Sequence, residues 1–199
     1  MLEINEIYHA AEVLKGVVRH TGLIRAPKLN PDVDIYIKPE CLQLTGAFKL
    51  RGAYYKISQL TEEEKAKGVI ACSAGNHAQG VALAATHNGI RSLICLPAGA
   101  PLSKIEATRG YGAEVCLVPG VYDDAYAKAV ELQQKHGYTF VHPFDDPKVI
   151  AGQGTIGLEI LQDMPDVEAV VVPIGGGGLI SGVAFAIKCL RPDVKVYGV

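Results

Sequence analysis

The 199-residue sequence has no surplus of either charge: 19 Lys and Arg against 21 Asp and Glu leave a formal net charge of −2. Without a basic excess there is no global attraction to nucleic acid. Nor is there an apolar run approaching the ~20 residues that a membrane helix needs. The N-terminus, "MLEINEIYHAAEVLK", carries acids where a secretion signal would carry bases. These absences set the expectation: a globular protein of the cytoplasm, with neither nucleic acid nor membrane as partner.

Other missing patterns exclude other chemistries. The five cysteines (Cys41, Cys72, Cys95, Cys116, Cys189) are odd in number and show no C-x-x-C spacing, which disfavours a disulfide framework and a zinc site alike. Three of them lie in apolar strand-like runs, as small buried hydrophobes do. The six histidines lack ligand spacing such as H-E-x-x-H, so no protein-built metal site is expected. No Gly-Lys dipeptide occurs, which removes a P-loop.

What is present is a rhythm. Apolar spacing predicts helices over "INEIYHAAEVLKGVV" and "AFKLRGAYYKISQL", with a short strand, "DIYIK", between them. Thr61 and Glu64 form a capping-box signature for "TEEEKAKG". Strand-like runs "GVIAC", "RSLICL", "AEVCLV" and "TFVH" then alternate with helical patterns. After "FDDP" come a helix, "GQGTIGLEILQDM", a strand, "VEAVVVPI", a helix, "LISGVAFAIKCL", and a strand, "VKVYGV". Such alternation implies parallel β-α-β units in a layered α/β fold. The last strand is expected to be buried on both faces, and an end at Val199 reads as a truncation of a longer chain.

Three stretches could carry chemistry. Gly175, Gly176, Gly177 and Gly178 follow a strand and open a helix, where bare backbone N–H groups and the positive helix end suit a phosphate. A tight turn alone needs one or two glycines, and four cost chain entropy without packing benefit. The dinucleotide spacing fails at this loop, since Ile180 and Ser181 stand where a third glycine would be required. A small phosphate is therefore the better guest, and a nicotinamide oxidoreductase the weaker rival. "ACSAGNHAQG" places Ser73, Gly75, Asn76 and His77 where a strand gives way to a helix; helix capping and an ordinary core histidine are the competing readings. Lys49, in "TGAFKLRGAYYK", stands at the wrong end of a helix dipole for a cation, which lowers its pKa. Solvent snorkelling is the alternative; convergence with Arg51 would depress the amine further. A lysine so tuned can form a Schiff base.

A Schiff-base lysine, a phosphate cradle and polar groups for a ring together fit pyridoxal phosphate. "QLTGAFKLRGA", "SAGNHAQGVA", "IAGQGTIGLEI" and "GGGGL", in this order, closely resemble the threonine and serine dehydratases of the fold type II pyridoxal-phosphate enzymes. Serine racemase and the tryptophan synthase β chain are members of the same wider family. The resemblance runs from about Ile7 to Val199. It implies a two-domain α/β fold with doubly wound open sheets of the tryptophan synthase β-like type, incomplete in the large domain. Residues 1–67 and 146–199 would form the large cofactor domain and 68–145 the small one.

By the same resemblance, Lys49 matches the lysine that holds the cofactor and acts as base, Phe48 packs beside the cofactor, and Asn76 matches its ring-hydroxyl partner. Gly175 to Gly178, with Leu179, match the phosphate loop. Ser73, Ala74, Gly75, Asn76 and His77 match the loop that grips the substrate carboxylate. The implied reaction is β-elimination of L-threonine, with L-serine slower, giving a 2-oxo acid and ammonia. Two departures disfavour racemisation: racemases of this group carry serine at the Ala74 position and asparagine at that of Phe144. A serine racemase, another lyase of the group, and an inactive cofactor-binding fragment are the alternatives. The ring-nitrogen partner and the cation-binding acids are expected beyond Val199, and homo-oligomerisation is usual in the family.

Overall fold

In the computed structural model, which describes residues 2–199, helix α1 (Ile4–Leu14) precedes a short antiparallel ribbon of β1 (Ile24–Arg25) and β2 (Tyr36–Ile37). After a 3-10 turn at Glu40–Leu42 come α2 (Lys49–Ser58), α3 (Glu62–Lys67) and β3 (Val69–Cys72). The chain goes on through α4 (Asn76–His87), β4 (Ser92–Pro97), α5 (Leu102–Gly110), β5 (Glu114–Val118), α6 (Tyr122–His136) and β6 (Thr139–Phe140). Then follow α7 (Pro147–Asp163), β7 (Ala169–Val172), α8 (Gly178–Leu190) and β8 (Lys195–Gly198). None of the described helices is long and apolar enough to cross a membrane.

A parallel four-stranded sheet, in the order β5-β4-β3-β6, organises the middle of the chain. Every residue of β3 is buried, because helices cover both faces. On one face Leu50, Ala53 and Ile57 of α2 and Ala78, Val81 and Ala85 of α4 join Val69 and Ala71 in one cluster. On the other, Ala125 and Ala129 of α6 cover Ile70, Cys72 and Cys95. Cys72, Cys95 and Cys116 stand in direct register across β3, β4 and β5, a row of three thiols on neighbouring strands. From β3 the strand order proceeds through β4 to β5 on one side and places β6 on the other. Loops leaving β3 and β6 therefore diverge from adjacent strand ends, and that crevice is where open α/β sheets take ligands.

The second parallel pair, β7 with β8, rests on α7 and α8 through Ile156, Val172, Val183 and Ile187. Val171 and Tyr197 are exposed, and among the described residues helices cover one side of this pair. Two helix boundaries also differ from the periodicity. α1 stops at Leu14, where Lys15 turns extended. α7 starts at Pro147, earlier than its glycine-rich pattern implies, because Asp146 caps the amides of Lys148 and Val149 and Pro147 occupies a first-turn position that needs no N–H. The capping box at Thr61 and Glu64 forms with both reciprocal bonds.

The motif "IAGQGTIGLEI" acquires a physical reason here. Gly152, Gly154 and Gly157 carry the G-x-G-x-x-G spacing that the loop at Gly175 lacks, but they lie inside α7, where they admit neighbouring helices rather than a nucleotide. A Cβ on Gly152 would stand 2.6 Å from Arg51 O and from Gly52 Cα in α2. One on Gly182 of α8 would stand 2.6 Å from Gly154 N. Because the obstructing atoms are backbone, relief requires the helices themselves to part. Gly182→Ala is therefore expected to destabilise the fold by about 1–3 kcal/mol, the usual range for overpacking, read as a lower urea midpoint at unchanged slope.

Candidate active site

Lys49 is the first residue of α2. The chain reaches it through a tight turn in which Gly46, at φ +70°, donates its N–H to Gln43 O. No side chain caps this helix. The amine swings back to donate to Pro143 O at 2.7 Å and lies 5.2 Å from the centroid of the Phe48 ring. Burial lowers its pKa. The amine is thus drawn towards its neutral, nucleophilic form by desolvation.

Arg51 does not contribute to this. Its side chain is fully buried on the other side, forked between Glu40 and Glu159. The guanidinium donates to Glu40 at 2.9 Å through both Nε and an Nη, and to Glu159 at 2.6 and 3.0 Å, with Thr155 Oγ1 and Arg19 O accepting the rest. Burial works against its charge, but the two carboxylates outweigh burial and raise its pKa. For Glu159 burial pushes the carboxyl up, and Arg51 and Lys38 overcome this to leave it lowered. This buried cluster anchors the segment before α2 to α7, with Lys38 Nζ 2.6 Å from Glu159.

The segment Val141–Asp146, here the strap, gathers the remaining pieces. Val141 N donates to Ile70 O, continuing the sheet, while Val141 O accepts from His77 Nε2 at 2.8 Å. His142 Nδ1 accepts from Asp145 N at 2.8 Å and folds the strap into a turn. Phe144 then packs onto the glycine loop: a Cβ on Gly176 would overlap its ring, and one on Gly178 would stand 2.7 Å from its carbonyl oxygen. Asp146 closes the strap with an ion pair to Lys56 of α2 at 2.7 Å.

The glycine loop is thus only partly what its composition suggested. Gly176 and Gly178 have a packing role, because Phe144 occupies the space that side chains would need, and this corrects the expectation of no packing benefit. Gly177 precedes α8 at φ +87°, a conformation that disfavours any other residue. Side chains at Gly175 and Gly177 would meet nothing within 4 Å, so the approach to the α8 amides is open on that side. Like α4, α8 begins without a side-chain cap, whereas α3 and α7 are capped by Thr61 and Asp146. The uncapped starts of α4 and α8, each following a strand, offer backbone N–H groups to anions.

The other residues expected at a site distribute as follows. Ser73 Oγ accepts from Gly75 N at 3.2 Å at the end of β3, and Ala74 packs against the core beneath. Asn76 is exposed on the first turn of α4. The His77 ring turns inward, so what it leaves at the loop is its backbone. Phe48 and Leu179 meet the same cluster around Val172 and Val183. Two hollows, of ≈ 340 Å³ beside Val167 and Tyr197 and ≈ 470 Å³ beside His20 and Leu42, border neither Lys49 nor the glycines. Sequence reasoning missed Pro143 and the strap; the signal available was a second polar, proline-flanked loop after a strand. Among the described residues no cluster of His, Cys, Asp or Glu is placed to hold a metal ion.

Comparison with known proteins places the chain in a family. Residues 14–199 match the family described as "Pyridoxal-phosphate dependent enzyme". The chain is 57% identical to the L-threonine ammonia-lyase of Thermotoga maritima, over 100% of this chain and 50% of that protein. It is 50% identical to the catabolic L-threonine dehydratase TdcB of Escherichia coli, over 98% of this chain and 60% of that one. Among solved structures, maize serine racemase superposes with a TM-score of 0.96 at 36% identity, covering 99% of this chain and 60% of the racemase. The processed threonine deaminase isoform 2 of Solanum lycopersicum gives 0.91 at 44% identity, covering 98% and 55%. The chain thus spans little more than half the length of the relatives it matches.

Proposed function

Because the chain belongs to the pyridoxal-phosphate dependent enzyme family, we propose that it forms the cofactor-holding part of a lyase that converts L-threonine, and more slowly L-serine, to a 2-oxo acid and ammonia. The observation that carries this reading is the amine of Lys49, half-buried and held on Pro143 O, next in the chain to the Phe144 on which the glycine loop is seated. The residues fit the cofactor. A half-buried amine of lowered pKa suits covalent attachment to an aldehyde, and an open, uncapped helix start suits a phosphate.

In this reading Lys49 would anchor the cofactor, Phe48 would pack beside it, Asn76 would be the partner of its ring hydroxyl, and Gly175 to Gly178 with Leu179 would hold its phosphate. Pyridoxal phosphate, when bound, supplies the electron sink that lets an amino acid give up its Cα proton. Lys49 Nζ takes that proton, and Ser73 to His77 hold the substrate carboxylate through the first-turn amides of α4. The β-hydroxyl leaves as water, one water returns in hydrolysis, and ammonia and 2-oxobutanoate or pyruvate result. Ala74 has no proton to exchange on the opposite face, which favours elimination over racemisation. With L-serine, pyruvate formation is expected to exceed D-serine formation by an order of magnitude or more, measured by chiral chromatography; comparable rates would move the assignment to the racemases.

We assign residues 68–145 to a small domain and 1–67 with 146–199 to a larger one, although α2 shares the core of the four-stranded sheet. A cytoplasmic, homo-oligomeric enzyme whose partner is a small amino acid completes the reading. The deciding experiment adds pyridoxal phosphate to the natural chain and follows the visible band of the lysine-bound cofactor. A band that shifts on adding L-threonine, with ammonia released, is expected. Absence of the band would sink the cofactor assignment, and a band indifferent to threonine and serine would sink the substrate.

A further inference from the structure

His77 is one of the few buried polar side chains with an atom left over. Its ring is 3% exposed, Nε2 points at Val141 O, and Nδ1 is buried with no partner among the described residues. A carbonyl can only accept, so the proton is on Nε2 and Nδ1 holds the lone pair. Burial, with the nearby charges of Lys49 and His142, brings the ring pKa down to about 4. The ring is therefore a neutral donor wherever the enzyme works, unsuited to exchanging protons with substrate.

That hydrogen bond fixes one particular object. Val141 is two residues before Pro143, whose carbonyl holds the Lys49 amine, and three before Phe144, which seats the glycine loop. Downstream the strap is tied by His142 and Asp146. Upstream, Val141 N is fixed to Ile70 on the sheet, and His77 fixes the carbonyl to α4. We infer that His77 is a positioning residue for Lys49: its Nε2–H sets the place of the strap, and the strap, through Pro143 O, sets where the free amine waits and how far water is kept from it. This rests on the reading of Lys49 as the anchoring base, and assigns His77 a role distinct from substrate contact.

The groups near Lys49 are the Phe48 ring beside it, Pro143 O of the strap and His77 from α4. Burial is what lowers the amine, so loosening the strap should let its pKa return towards that of an ordinary lysine. The test uses the natural chain without cofactor. Lys49 is acetylated by brief exposure to acetic anhydride across a pH series, and the labelling midpoint is read by mass spectrometry. His77→Leu, which keeps bulk but no donor, is expected to move the midpoint upward; His77→Gln, whose amide can still donate, is expected to restore it. An unmoved midpoint in folded His77→Leu, or identical midpoints in the two variants, overturns the proposal. Should the leucine variant fail to fold, the decision passes to His77→Gln together with ¹⁵N NMR of the wild-type ring. A wild-type midpoint in His77→Gln, with an Nε2–H tautomer that stays neutral down to about pH 5, supports it. A shifted midpoint, an Nδ1–H tautomer, or titration near the ordinary ~6.5 overturns it. Since no cofactor is present in this experiment, the role of Lys49 itself is tested separately, by the visible band and its response to threonine.

Discussion

Lys49→Ala is expected to abolish the visible band of the bound cofactor and to lower ammonia release from L-threonine by at least about 10²–10⁴-fold, the contribution of a positioned general base alone. Covalent anchoring is lost as well, so the true drop should lie at or beyond the upper end. The fold should survive, because the lysine is a burden on it. An amine whose pKa is lowered in the folded state binds fewer protons there than in the unfolded chain. The unfolded state therefore gains protons in the window between the folded pKa and the ordinary ~10.4, and stability rises with pH across it. Urea titrations at pH 7 and pH 10 should show that rise in the wild type and lack it in the alanine variant. Retained turnover in purified Lys49→Ala would remove this residue from the centre of the mechanism.

The second large effect concerns stability rather than chemistry. Arg51→Met leaves Glu40 and Glu159 facing one another without the cation that both were bonded to, at an expected cost of about 3–5 kcal/mol at pH 7. Its pH signature separates charge from packing. In the wild type Glu159 is held below its ordinary 4.5. Its contribution is present above that value and disappears as pH falls through the lowered folded value. The methionine variant keeps only the share that Lys38 supplies, so the gap between the two proteins should be widest at neutral pH and shrink in acid. A gap unchanged between pH 7 and pH 3 would trace the loss to packing. Arg51→Lys should recover only part of it, since an ammonium with three donors cannot replace the four bonds that the guanidinium makes to the two carboxylates.

The same arginine shows where sequence reasoning reached its limit. Alternating strands and helices were legible because β3 to β6 and their crossover helices are built from contiguous apolar runs, and Thr61 with Glu64 marks a helix start within four residues. Arg51, by contrast, is bonded to a carboxylate 108 residues away, and Lys49 to a carbonyl 94 residues away. Nothing local in "KLRGAYYK" distinguishes the residue that turns to the crevice from the one that turns to the ion cluster. The candidate site residues were singled out through an ordered set of motifs. The strap was not, since its contribution at Val141 and Pro143 is made by backbone oxygen, which any residue type supplies. The glycines misled in one respect: composition cannot tell a glycine that admits a ligand from one that admits Phe144.

The thiols in register across β3, β4 and β5 have a practical consequence for watching this protein move. Cys72 and Cys95 are buried, and burial holds them up at about 11 and about 12, far from the thiolate that electrophiles attack. Cys41 and Cys189 are the exposed ones, so a maleimide dye should colour these two first without any prior cysteine removal. Both lie outside residues 68–145. On the proposed division into two domains, a dye pair on them would serve as an internal ruler against which a third label, introduced on the outer face of α6, tests whether the crevice closes.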